Sequence, residues 1–188
     1  MYHVSEANIK TICPVCGTLA DNIQVHVHNK HTPPGCHAEA PNHQTLYAFA
    51  IVVCRRPSDG KFLVVQEFAD QGYWLPGGAI DPGENFFEAA LRETMEEAGV
   101  HVTLKGIISI EFGSVGYARM RVIFYAEPTD DSAEPKTIPD FESAGAMWLS
   151  VEEVCDKRIP LRGREPVIFF RHVADGNIIH PLSIFSSE

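Results

Sequence analysis

Glu93, Glu96 and Glu97 stand at i, i+3 and i+4 in the segment GAIDPGENFFEAALRETMEEAGV, residues 78–100. On a helix that spacing places three carboxylates on one face. Like charges so placed cost an isolated helix a few tenths of a kcal/mol per pair. A hard divalent cation held by carboxylate oxygens offsets that repulsion and links the cluster to phosphate chemistry. Arg92 lies four residues from both Glu88 and Glu96, in reach for bidentate hydrogen bonds that would orient carboxylates. Gly77 and Gly78 allow an unusual backbone turn beside the helix, from which a carbonyl of the Gly78 region could reach the same cation. The alternative reading is a solvated charged face.

A second cluster lies near the amino end. Three of five cysteines fall in the first 40 residues and six of nine histidines in the first 43, which favours metal binding over a disulfide framework. Cys13-Pro14-Val15-Cys16-Gly17 has zinc-knuckle spacing, and Ile23, His26 and His31 follow it as on the helix of a zinc finger. The expected ligands of a structural Zn²⁺ are Cys13, Cys16, His26 and His31, with His28, Cys36 and His37 as competitors. A redox CxxC and an unbound segment are the alternatives. A unit of this size has too little core to fold without metal. Lys10 and Lys30 are its only basic side chains besides histidine, so reading DNA is not its expected task; bracing the fold or binding a protein partner is. Cys54 and Cys155 read as packing residues.

The elements that must position these groups begin after a change of composition. Residues 1–37 form the Cys/His-rich segment, 38–45 a linker within a proline-containing stretch, and 46–188 an α/β domain. Tyr47–Cys54 and Lys61–Phe68 read as two strands of a hairpin around Arg55–Gly60. A helix from about Glu84 to Ala98 follows Asp81-Pro82-Gly83, and Gly99 should close it in a left-handed conformation. Phe87, Ala90, Leu91, Thr94 and Ala98 form its expected core face. Thr103–Phe112, Met120–Ala126 and Ala146–Ser150 read as strands, and Glu165–Ala174 as a helix packed on the sheet. Strand and helix order implies a mixed sheet between helices.

The chain has 188 residues and a formal net charge of −10, from 15 Lys+Arg against 25 Asp+Glu. That balance disfavours coating a nucleic acid, while leaving a small phosphorylated substrate open. No apolar run suits a membrane span and the first residues lack a signal-peptide pattern, so a soluble cytoplasmic protein is expected.

The segment resembles the Nudix box, G-x5-E-x7-R-E-U-x-E-E-x-G-U, where U is a bulky aliphatic. Gly78, Glu84, Arg92, Glu93, Glu96, Glu97, Gly99 and Val100 fall on its required positions, and only Thr94 departs, where an aliphatic is asked for. Trp74-Leu75-Pro76-Gly77-Gly78 is similar to the family's lead-in, and Trp148 fits near the last strand. The resemblance implies a Nudix-type α/β/α sandwich and a Mg²⁺- or Mn²⁺-dependent hydrolase that cleaves a phosphoanhydride in a small nucleoside diphosphate derivative. It implies Glu93, Glu96 and Glu97 as metal ligands, with Gly78, and Glu84 and Arg92 as residues that orient them. The general base is a box glutamate, Glu96 or Glu97, or a loop glutamate, Glu111 or Glu142.

Residues 101–120 contain no proline, which counts against the NADH and ADP-ribose subgroups. Tyr117 is compatible with the dinucleoside polyphosphate subgroup. Glu111, the Glu142–Trp148 spacing and Leu161-Arg162-Gly163 are closer to the MutT-like group acting on nucleoside di- and triphosphates, oxidised ones included. Nucleotide-sugar hydrolysis and a non-catalytic nucleotide sensor are the remaining readings.

Overall fold

The computed structural model describes residues 10–21, 23–31, 45–68, 71–115, 117–156 and 158–185, with the side chains of residues 23, 24, 28 and 29 excepted. The chain divides into two units, 1–44 and 45–188. In the first, β1 (Thr11–Ile12) pairs antiparallel with β2 (Leu19–Ala20), and α1 (Ile23–His31) follows. Cys36, His37 and most of the proposed linker lie outside the described residues.

The second unit contains β3 (Leu46–Cys54), β4 (Phe62–Gln66), β5 (Tyr73–Trp74), β6 (Gly77–Ala79), α2 (Phe86–Ala98), β7 (Val102–Gly113), β8 (Ala118–Pro128), β9 (Gly145–Leu149), α3 (Val151–Val154) and α4 (Glu165–Ala174). Its strands form two sheets, β6-β3-β8-β7 and β5-β4-β9. β3 runs parallel to β8, and the remaining pairs are antiparallel, so the sheet is mixed as expected.

Alternation along the strands explains the layering. Ala50, Val52 and Cys54 of β3, with Leu63 and Val65 of β4, pack with Ala89, Ala90 and Ala98 of α2. Ile51, Val53, Phe62 and Val64 point the other way, toward Phe169, Phe170 and Val173 of α4. Phe62 and Phe170 stack with centroids 4.3 Å apart, worth about 1 kcal/mol beyond burial. The product is an α/β/α sandwich with core on both faces.

The hairpin expected between β3 and β4 does not form. Among the described residues the β-pairing between them is limited to an isolated bridge, Arg55 to Phe62. Both edges of β3 are taken by β6 and β8, and those of β4 by β5 and β9, so the two strands diverge into different sheets. Cys54 is buried as expected, and burial pushes its thiol well above the usual range. Cys155 is exposed at the end of α3, because that helix is a single turn whose only buried side chain is Val154. Among the described residues no helix is long and apolar enough to cross a membrane.

Candidate active site

α2 starts at Phe86, two residues later than expected, because Asn85 caps it: Oδ1 accepts the amides of Phe87 and Glu88, and Glu88 accepts the Asn85 amide. Gly99 ends it with φ 71°, its amide donating to Met95. The buried face consists of Ala89, Ala90, Thr94 and Ala98; Leu91 is exposed, one step around the helix from the stripe that meets the sheet. Thr94, the one departure from the box, donates its hydroxyl to the Ala90 carbonyl at 2.7 Å and is thereby satisfied in the core.

The opposite side of α2 faces β6. The Gly77 amide donates to Glu97 Oε2 at 2.8 Å. The Glu93 carboxylate occupies the space that a side chain on residue 78 would need, since a Cβ there would lie 2.4 Å from Glu93 Oε1. Gly78 is thus required for close approach.

Arg92 ties the carboxylates together. Nε and Nη2 donate to the two oxygens of Glu84, each at 2.8 Å, and Nη1 donates to both Glu93 and Glu96 at 2.9 Å. Nη2 also reaches the Ala79 carbonyl at 3.1 Å, fastening α2 to β6. The hydrogen bonds from Arg92 hold Glu84 below the usual carboxylate range. Glu96 is the outermost of the three helix glutamates.

Burial raises the Glu93 carboxyl, against the pull of Arg92 and with the charges of Glu96 and Glu142 adding to it. Burial pushes Glu97 up to about 8; the Gly77 amide opposes this, while Glu93, Glu67 and Glu142 reinforce it. Two inward carboxylates, ringed by further carboxylates and oriented by the Arg92 guanidinium, form a donor set that suits a hard divalent cation.

Of the two loop glutamates considered from sequence, Glu142 adjoins Ser143, whose hydroxyl donates to the Glu97 carbonyl at 2.6 Å. Glu111 instead pairs across the β7–β8 ladder with Arg121, Nε to Oε2 at 3.0 Å. Glu67, which sequence did not single out, also acts on Glu97 and pairs with Arg162 at 2.9 Å.

On the other side of Gly77 and Gly78 lies a cleft of about 510 Å³. Arg119, Arg121 and Arg162 supply its positive charge, and Trp74, Phe49 and Tyr117 its aromatic surface. Arg162 lies over the Trp74 ring, 5.6 Å from its centroid. Arg162 and Gly163 form this wall because residues 160–162 are stitched to β5: Tyr73 donates to Pro160 at 2.7 Å, and Arg162 to Tyr73 at 3.1 Å. The arginines come from strand β8 and a loop far from the carboxylate motif, so no local spacing marked them.

In the first unit Cys13, Cys16, His26 and His31 offer donor atoms that all lie within 4.8 Å of one another. Cys13 Sγ is 3.4 Å from His31 Nε2, Cys16 Sγ 3.2 Å from His26 Nε2, and the two imidazole nitrogens are 3.3 Å apart. A tetrahedron with Zn–S near 2.3 Å and Zn–N near 2.05 Å has edges of about 3.5 and about 3.3 Å, so the set has zinc-like proportions. Hydrogen bonds from Thr18, with a contribution from His26, lower the Cys16 thiol to about 5.

The NUDIX domain family matches residues 45–171, and the chain belongs to that family. The 8-oxo-dGDP phosphatase NUDT18 of Homo sapiens is 37% identical over 89 residues, 46% of this chain and 27% of that protein. This chain thus spans about a quarter of the length of the human relative. The asymmetrical bis(5'-nucleosyl)-tetraphosphatase of Mus musculus is 34% identical over 101 residues, 50% of this chain and 67% of that one. A NUDIX hydrolase structure from Nitrosomonas europaea superimposes with a TM-score of 0.60 at 23% identity, covering 77% of this chain and 98% of the other, which shows the fold.

Proposed function

We propose that the second unit hydrolyses a phosphoanhydride bond in a nucleoside di- or triphosphate, oxidised forms included, with Mg²⁺ or Mn²⁺. The observation that carries this reading is the juxtaposition, across Gly77 and Gly78, of a half-buried carboxylate pair and an arginine-lined cleft. Glu93 and Glu97 would hold the ion with Glu96, while Glu84 and Arg92 keep them oriented. The chemistry such an ion would supply is screening of the diphosphate charge and a lower pKa for the attacking water. Arg119, Arg121 and Arg162 take the substrate's phosphate oxygens, and Trp74 offers an apolar face to the base.

Glu142 is the proposed general base. Among the described residues its carboxylate has no hydrogen-bond or ion-pair partner, whereas that of Glu111 is occupied by Arg121. Water attacks phosphorus as its proton passes to Glu142, the phosphoanhydride P–O bond breaks, and two phosphorylated products leave.

Tyr117 in the cleft wall, with the mouse relative's name, favours a dinucleoside polyphosphate as second reading. A non-catalytic sensor is the rival class. A product-release screen with Mg²⁺ over dGTP, 8-oxo-dGDP, Ap4A and a UDP-sugar separates these readings, and turnover of none would leave the sensor. For the first unit we propose a structural zinc on Cys13, Cys16, His26 and His31, the set whose donor atoms converge.

A further inference from the structure

The carboxyl end of α2 is gripped by the loop between β8 and β9. The Lys136 amide donates to the Ala98 carbonyl at 2.9 Å, and its ammonium, at the end of a side chain 17% exposed, donates to the Glu96 carbonyl. The same ammonium lies 2.7 Å from Asp140 Oδ2. Asp140 Oδ1 accepts the amides of Glu142 and Ser143 at 2.9 and 3.1 Å. Ser143, fully buried, donates its hydroxyl to the Glu97 carbonyl at 2.6 Å. Carbonyls in the last turn of a helix lack intrahelical partners and favour cations. Here they anchor a closed circuit that runs from Glu96 through Lys136 and Asp140 to residues 142 and 143, and back to Glu97.

The circuit opposes a definite force. Glu142 carries the same charge as Glu93 and Glu97, and the hydroxyl of its neighbour Ser143 is seated on the Glu97 carbonyl. On an unanchored loop such a carboxylate would swing toward water, where repulsion and desolvation are both smaller. None of the three anchoring side chains touches the arginine-lined cleft, so their reach is to the helix and to the loop backbone only.

We propose that Lys136, Asp140 and Ser143 are positioning residues whose task is to hold Glu142 against the carboxylate pair of α2. The proposal rests on the reading of Glu142 as general base. Asp140→Asn and Lys136→Met should lower kcat about tenfold or more while KM stays within about twofold, because a displaced base affects the chemical step. Lys136→Arg, which keeps the cation, should restore most of the rate.

The test measures turnover of the fastest substrate in the screen with saturating Mg²⁺, together with amide hydrogen exchange at Glu142 and Ser143. In Asp140→Asn both amides should exchange about tenfold faster or more, as opening becomes cheaper. In a Glu142→Gln background, Asp140→Asn should reduce kcat by less than about twofold further, since both changes remove one function. Thermal melts show whether each variant is folded, and the Asp140 and Lys136 side-chain changes spare the buried Ser143. Unchanged kcat in Asp140→Asn and Lys136→Met overturns the clamp. So do losses that multiply with that of Glu142→Gln. Full turnover in Glu142→Gln by itself overturns the base assignment beneath it.

Discussion

The Gly77 amide donates a 2.8 Å hydrogen bond to Oε2 of Glu97, which fastens the glycine strand to the carboxylate helix across twenty positions of sequence. The two adjacent glycines serve this junction differently. A Cβ on residue 77 would lie 2.2 Å from the Ala50 carbonyl oxygen, with φ at +145°, whereas the nearest atoms to one on residue 78 belong to the Glu93 carboxylate. Gly77→Ala should therefore destabilise the fold by roughly 2–4 kcal/mol. Gly78→Ala should lower turnover about tenfold or more with a much smaller stability loss, since a side chain can yield where backbone cannot. Denaturant unfolding and kcat/KM measured on both variants check this; equal stability losses would contradict it.

Arg92→Lys retains the charge and loses the fork that serves Glu84, Glu93 and Glu96 at once. Two of those carboxylates are largely shielded from solvent, so stability should fall by roughly 1–3 kcal/mol. Turnover should fall as well, with Mg²⁺ dependence moved to higher concentration. A titration of rate against Mg²⁺ that matches the parent protein would exclude an orienting role.

The elevated Glu97 carboxyl makes a prediction about pH. Its value near 8 exceeds the ordinary 4.5, so the folded protein binds that proton more tightly than the unfolded chain does. This contribution to stability is complete below about pH 4.5 and is lost as pH rises toward 8. A divalent cation competes with the same proton, so apparent Mg²⁺ affinity should climb up to about tenfold per pH unit below 8. The melting-temperature gain from MgCl₂ should accordingly be larger at about pH 8.5 than at about pH 6. A gain independent of pH would count against Glu97 as a ligand.

The amino-terminal donor set predicts one zinc per chain. Atomic absorption should find it in the parent protein, and Cys16→Ser or His31→Ala should abolish it, with loss of the α1 helix in NMR spectra. Stoichiometric zinc in both variants would mean that other residues bind it.

Legibility in the sequence followed the range of the interactions. The carboxylate helix and its Gly99 cap were readable because both are set by residues a few positions apart. The pairing of β3 could not be read that way: its partners, β6 and β8, are chosen by which edges the whole sheet leaves open, and the nearby β4 loses that competition. Glu111 and Glu142 looked equivalent as loop carboxylates, and only the ladder partner Arg121 and the anchoring of residues 142 and 143 separate them. Glu67 and Arg119 carry no motif, and the Leu161-Arg162-Gly163 segment gave no sign of where its arginine would lie; the fold alone sets Arg119 and Arg162 beside the glycines. Cys155 illustrates the opposite error, since an apolar neighbourhood in sequence did not bring burial.

The most direct measurement of the central claim is steady-state nucleotide hydrolysis with saturating Mg²⁺ by the parent chain and by Glu97→Gln. The predicted result is turnover of at least one nucleoside di- or triphosphate by the parent, reduced on the order of 10²–10³-fold in Glu97→Gln and absent from both in EDTA. Equal rates in the two proteins, or hydrolysis that persists in EDTA, would contradict the assignment of the α2 carboxylates as the metal site of a hydrolase.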